Sequence, residues 1–274
     1  MKLQPKGGKA MNILVTLNEN YLPPLKVLIN SLIQNNPEEA FSIYLLHSTI
    51  SEEKLSGLHH YIEEKGHHFF PVRIPPDLFK DAPVLRHYTS EMYYRLTAHL
   101  FLPEHLDRIL YLDPDIVCIN PAAAFYYTDF EGHFFIASEH EHSAKKTRLI
   151  NKLRLRTPNA KGYFNTGVLL MNLELIRQHV KVEEIFQFIE ENKLKLLLPD
   201  QDVFNALFWN KIKPAESYRY NYDARFFERA AFIKKQDIEW IKKHTVFIHY
   251  CGKDKPWHPN YKYALGTFYQ KYCE

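Results

Sequence analysis

The chain has 274 residues, 46% of them apolar and 15% aromatic, which is ample material for a large α/β core. Its 35 Lys and Arg residues are answered by 32 Asp and Glu, a net charge of +3, so no global electrostatic case for a nucleic-acid partner exists. The 3 cysteines, Cys118, Cys251 and Cys273, form an odd set without CxxC spacing, which argues against a disulfide framework and against zinc, and no window approaches the roughly 18 to 20 apolar residues of a spanning helix.

Residues 1–10, MKLQPKGGKA, read as a loose tail without a secretory apolar stretch, which points to the cytoplasm. The apolar run from Asn12 to Leu17 predicts a strand. Leu25, Leu28, Ile29 and Leu32 then recur at helical spacing behind Pro23 and Pro24. Phe41 to His47 predicts a second strand, Ser51 before Glu52 and Glu53 an N-cap, Gly66 a helix stop, and His67 to Ile74 a third strand. This alternation predicts a doubly wound, mainly parallel sheet with ligands beyond the carboxyl ends of the strands. A helix is expected from about Ser90 to Leu102, stopped by Pro103. Strands follow at Arg108 to Leu112, Phe134 to Ser138, Phe164 to Asn172 and Thr245 to Tyr250, and helices at Val182 to Glu191 and Pro199 to Trp209. The aromatic stretch from Tyr218 to Phe227 reads as irregular, and the last helix, with Phe268, Tyr269 and Tyr272, as packed on the domain. No repeat or linker divides residues 11–274, which read as one domain.

Between Lys145 and Arg156 six residues are Lys or Arg and none is acidic, with Leu149, Ile150 and Leu153 at helical spacing on another face. A solvated helix or loop is one reading; a lid over a phosphate, or a contact with an acidic acceptor or membrane surface, is the other.

The segment Ile109 to Val117 places Asp113 and Asp115 inside an apolar run, where carboxylates are costly unless paired, hydrogen-bonded or bound to metal. Pro114 ends the ladder between them and lets both side chains approach one ion, for which hard oxygen ligands suit Mg²⁺ or Mn²⁺. An ordinary Asp-Pro turn is the competing reading. A second constellation follows the closing strand: His249, Gly252, Lys255, Pro256 and Trp257. Imidazole favours Mn²⁺, Gly252 permits close backbone approach to a phosphate, and Lys255 neutralises it. His249 as a hydrogen-bonded structural histidine and Trp257 as a core anchor are the alternatives.

These blocks, with NILVTLNENY (Asn12 to Tyr21), Tyr94-Arg95-Leu96, YFNTGVLLMN (Tyr163 to Asn172) and DQD (Asp200 to Asp202), resemble glycosyltransferase family 8 over Met11 to Trp257. That family includes retaining bacterial lipopolysaccharide galactosyl- and glucosyltransferases and, more distantly, glycogenin. The resemblance implies a GT-A type nucleotide-sugar-binding domain with a Rossmann-like sheet, a UDP-sugar donor, Mn²⁺ or Mg²⁺, and a saccharide or lipid-linked glycan acceptor, and it leaves a peripheral membrane contact open.

Carried over residue by residue, it makes Asp113, Asp115 and His249 the metal ligands. Thr16, Leu17, Asn18, Asn20 and Tyr21 become the nucleoside loop, with Tyr21 on the uracil and Asp113 near the ribose. Gly252 and Lys255 would hold the diphosphate. Arg95, Asn165, Asp200 and Gln201 would reach the donor sugar, with Gln201 nearest the reacting carbon and Asp200 the second catalytic candidate, a competent carboxylate, and His87 would face the acceptor. Two departures stand out: Asn18 where many relatives carry aspartate, and His140, between Glu139 and Glu141, near a sugar-binding aspartate of a relative. The second leaves glucose versus galactose open.

Retention admits double displacement or same-face attack, and the poor nucleophilicity of Gln201 favours the latter. A binding protein without transferase activity and a metal-dependent nucleotidyltransferase or nucleotide-sugar hydrolase are the rival functions. Intact Asp113, Asp115, His249, Lys255 and Gln201 oppose the first. Asn18-Glu19-Asn20-Tyr21, neither Gly-rich nor basic, opposes a nucleotidyltransferase.

Overall fold

The computed structural model of the protein describes residues 10–79, 90–139 and 145–273. β1 (Met11–Thr16) and β2 (Phe41–His47) are buried along their whole length, as unbroken apolar runs require of strands covered on both faces. Between them α1 (Leu22–Asn35) carries Pro in its first turn and buries Leu25, Leu28, Ile29 and Leu32. The Ser51 hydroxyl caps α2 (Glu52–Glu64) by accepting from the Lys54 N–H, and the helix gives way at Gly66, whose φ of +83° suits glycine. β3 (His68–Arg73) follows.

Where the apolar pattern predicts one helix from Ser90 to Leu102, the chain forms α3 (Tyr94–Thr97) between 3₁₀ turns at Ser90–Tyr93 and Ala98–Leu100. Residues Met92 to His99 are all buried, so packing from every side, not one amphipathic face, shapes this segment.

β4 (Arg108–Leu112), β5 (Ile116–Cys118), α4 (Ala123–Tyr126), β6 (Phe135–Glu139), α5 (Lys145–Arg154) and β7 (Phe164–Asn172) come next. Then come α6 (Leu173–His179), α7 (Val182–Asn192), α8 (Pro199–Phe208), β8 (Ile212–Ala215), α9 (Ser217–Tyr220), β9 (Tyr222–Asp223), α10 (Phe227–Lys234), α11 (Ile238–His244), β10 (Phe247–His249) and α12 (Gly266–Gln270). The stretch from Tyr218 to Phe227, read as irregular, is thus a series of elements too short to show a period.

A seven-stranded sheet runs β3-β2-β1-β4-β7-β6-β8. β3, β2, β1 and β4 are parallel, as the β-α-β alternation requires, but β7 is antiparallel to both β4 and β6. One apolar cluster, with Ile13, Val15, Leu28 and Phe41, fills one side of this sheet; another, with Leu14, Tyr111, Leu169 and Phe204, fills the other. A second, three-stranded sheet, β5-β10-β9, covers a third cluster into which α12 packs Phe268 and Tyr269, joined by Tyr272 just beyond it.

The basic segment forms a helix, α5, rather than a loop. Asn151 and Leu155 face inward, while Leu149, Ile150 and Leu153 are 60%, 59% and 72% exposed. Its last turn is fastened by Arg154, whose guanidinium donates two 2.6 Å hydrogen bonds to the fully buried Asp202 of α8.

His99 is buried, and desolvation, then the charge of Arg177, push its pKa down to about 4. The unfolded chain binds this proton below about pH 6.5 while the folded protein does not, so stability falls as pH drops from 6.5 towards 4. Between pH 7 and pH 5 the cost is about 2 kcal/mol. Urea unfolding should show the native protein losing that much more stability over this interval than His99→Gln. Equal losses would mean that the ring ionises in the folded state.

Candidate active site

The aspartate pair lies where the chain leaves the large sheet for the small one. β4 ends at Leu112, Asp113 hydrogen-bonds through its N–H to the Gly167 carbonyl of β7 (2.8 Å), and after Pro114 and Asp115 the chain enters β5. β10 pairs antiparallel with β5 so that His249 stands opposite Ile116, and the Tyr250 N–H donates to the Asp115 carbonyl at 3.0 Å. Two carboxylates close in sequence and a histidine some 130 residues away, on the order set by their numbering, are thereby brought together by strand register rather than by local sequence.

The three side chains each offer one ligand atom, all within 4.8 Å of one another. His249 Nε2 is 3.2 Å from Asp115 Oδ1 and 3.7 Å from Asp113 Oδ2. Gly167 keeps the space beside them open: a Cβ there would lie 2.3 Å from His249 Cε1 and 2.7 Å from Asp113 Oδ2. Two carboxylates and an imidazole at this spacing fit a divalent cation with oxygen and nitrogen preference.

Cations of the protein balance the cluster. Lys255 donates to Asp115 Oδ2 and to the Tyr250 carbonyl (2.9 Å). Burial would raise the Asp115 carboxyl, but Lys255 and His249 outweigh it and hold the group well below the usual range. Arg95 is buried over the Tyr111 ring, 4.4 Å from its centre; it pairs with Asp113 at 3.0 Å, donates to the Met92 and Thr166 carbonyls, and lies 3.5 Å from Asp200. The Tyr111 hydroxyl donates to Asp113 Oδ1 at 2.5 Å and stands 3.3 Å from that of Thr16, linking β1 to the cluster. At the start of α8, Asp200 accepts from the Thr166 hydroxyl at 3.1 Å; its burial raises its carboxyl pKa against the opposing charge of Arg95.

One cleft is lined by Thr16, Leu17, Asn18, Tyr21, Arg95, Asp113, Asp115, Asn165, Asp200, Gln201, His249, Gly252 and Lys255, so residues named from distant parts of the sequence converge. Asn20 is not on its wall: its N–H donates to Asn18 Oδ1, which engages the Asn18 carbonyl in a turn. Tyr21 meets Trp257 edge-on at 6.0 Å. Gly252 has φ +89°, and Arg225 lies against it, 3.3 Å from where its Cβ would be. His87, His140 and Glu141 lie outside the described residues. Glu91, Thr166, Arg225 and Cys251 also line the cleft, and none was singled out from the sequence. Asn221 and Gly167, which hold the cluster from behind, escaped as well; the NTG near the start of the Phe164 to Asn172 strand was the available signal for the latter.

The sequence model of glycosyl transferase family 8 matches residues 12–260. Lipopolysaccharide 1,2-glucosyltransferase of Escherichia coli is 28% identical over 96% of this chain and 77% of its own length. Lipopolysaccharide 1,3-galactosyltransferase of Salmonella typhimurium is 24% identical over 97% of this chain and 78% of its own. Among solved structures, the galactosyltransferase LgtC in complex with donor and acceptor sugar analogs superposes with a TM-score of 0.81 at 24% identity, covering 96% of this chain and 95% of the other. The fold is that of the GT-A glycosyltransferases, α/β with a mixed central sheet.

Proposed function

Because the chain belongs to glycosyl transferase family 8, we propose that it is a metal-dependent, retaining hexosyltransferase that moves glucose or galactose from a UDP-sugar to a saccharide or lipid-linked glycan. The observation that carries this reading is the Asp113, Asp115 and His249 cluster opening into the same cleft as Lys255 and Gln201.

Asp113, Asp115 and His249 would hold Mn²⁺, which supplies positive charge to the diphosphate when bound. Lys255 and the Gly252 backbone take the phosphates, with Arg225 beside them. Tyr21 presents its ring to the base, and Thr16, Leu17 and Asn18 form the nucleoside wall. Arg95 fixes Asp113 and Asp200 in place, and Asn165, Asp200 and Gln201 face the sugar. Stabilisation of charge on the departing diphosphate is the main catalytic contribution. Asp200 is engaged by Thr166 and Arg95, and Gln201 is an uncharged amide; both facts favour same-face attack over a covalent intermediate.

No described helix is long and apolar enough to cross a membrane. The reading places the protein in the cytoplasm, and the exposed Leu149, Ile150 and Leu153 of basic α5 support a peripheral contact with the inner membrane face.

Calorimetric titration of UDP, UDP-glucose and UDP-galactose, with Mn²⁺ and with chelator, tests the reading, followed by transfer to added saccharide acceptors. Mn²⁺-dependent binding and transfer are expected. Binding without transfer to any acceptor would favour the binding-protein or hydrolase alternatives, and no UDP binding in any condition would sink the proposal.

A further inference from the structure

A chain of hydrogen bonds runs behind the cluster, and its polarity can be read from one end. The Gly167 N–H can only donate, and it donates to Asn165 at 2.8 Å, so the atom it meets is Oδ1. Asn221 approaches that same oxygen at 2.8 Å and therefore presents Nδ2 to it. The other end of the Asn221 amide, Oδ1, lies 2.9 Å from His249 Nδ1; this oxygen can only accept, so Nδ1 carries a proton. Nε2 is then the nitrogen turned towards Asp113 and Asp115. At the far end Asn165 Nδ2 donates to Gln201 Oε1 at 3.3 Å.

Asn221 is 7% exposed and immediately precedes β9, whose pairing with β10 sets Asp223 beside His249. Its amide is held between two side chains, Asn165 on one side and His249 on the other. We infer that Asn221 is a positioning residue with two separable duties: its oxygen presents His249 Nε2 to a divalent cation, and its NH₂ group, through Asn165, sets the Gln201 amide. A second amide orientation would place two acceptors face to face at Asn165, and a proton on Nε2 would block that nitrogen as a ligand. Partners of this kind hold metal-binding histidines elsewhere, and their loss typically costs 10- to 100-fold in affinity.

The inference rests on the metal reading of the site. Its test is Mn²⁺ binding to the wild type, Asn221→Ala and Asn221→Asp, followed by the electron paramagnetic resonance of free Mn²⁺, with circular dichroism as the check on folding. Asn221→Ala should weaken Mn²⁺ binding about 10- to 100-fold. Asn221→Asp keeps an acceptor for Nδ1 and should bind Mn²⁺ as tightly as wild type or tighter. It has no proton for Asn165, however, and displacement of Gln201 should lower kcat on the order of 100-fold. Wild-type Mn²⁺ affinity in Asn221→Ala overturns the first duty, as does a folded Asn221→Asp that loses Mn²⁺ as completely as Asn221→Ala. Wild-type kcat in Asn221→Asp overturns the second. Absence of Mn²⁺ uptake by the wild type overturns the metal reading itself, and the inference with it.

Discussion

Asp115→Asn is expected to abolish Mn²⁺-dependent UDP binding and to lower the transfer rate about 10³-fold, with the fold retained. Asp115 is buried between His249 and Lys255 and touches both. Asparagine preserves its volume and a hydrogen-bonding oxygen but removes the negative charge on which a divalent cation depends. Asp115→Ala should behave differently. It leaves the buried Lys255 with neither the charge nor the accepting oxygen of Asp115, and truncation of one member of such a pair costs about 3–5 kcal/mol. Thermal melts should therefore rank Asp115→Ala well below Asp115→Asn, while calorimetry finds both without metal-dependent UDP binding. Undiminished Mn²⁺-dependent binding by Asp115→Asn would remove this residue from the ligand set.

The first half of the fold is legible because its strands and helices carry long, unambiguous periods: Phe41–His47 and Arg108–Leu112 fall on the residues that the apolar runs predict. The reversal of β7 is not legible, since a fully buried strand shows the same unbroken apolar run whichever way it points. For the site, Asp113 and Asp115 announce themselves by interrupting an apolar run, and His249 by following one. Asn221 gives no such signal. Its role is exerted by one side-chain amide at the edge of a two-residue strand, and an asparagine among aromatic residues looks like a turn former until the third dimension sets it against His249.

Gly167 poses the same problem more sharply, because its contribution is an absence of atoms. Its backbone has no positive φ, so conformation does not require glycine there; space does. An alanine methyl would stand 2.3 Å from His249 Cε1, 2.7 Å from Asp113 Oδ2 and 2.9 Å from His249 Nδ1. Whether this is tolerated depends on what can yield. His249 is held by Asn221 and by its strand pairing, Asp113 by Arg95 and Tyr111, and the Gly167 backbone by its bonds to Asp113 and Asn165. None is the free end of a flexible chain. By contrast, a Cβ at Gly162 would meet the carboxyl end of the Glu139 side chain, at 2.5 Å from Cδ. Gly167→Ala should therefore drive Asp113 and His249 apart, lower the transfer rate on the order of 100-fold or more, and cost about 1–3 kcal/mol in stability through overpacking. Steady-state rates and Mn²⁺ titration, set beside thermal melts, measure both effects. A folded Gly167→Ala with wild-type Mn²⁺ affinity and turnover would mean that His249 and Asp113 need not converge on a single ion, and the metal assignment would have to be rebuilt around Asp115 alone.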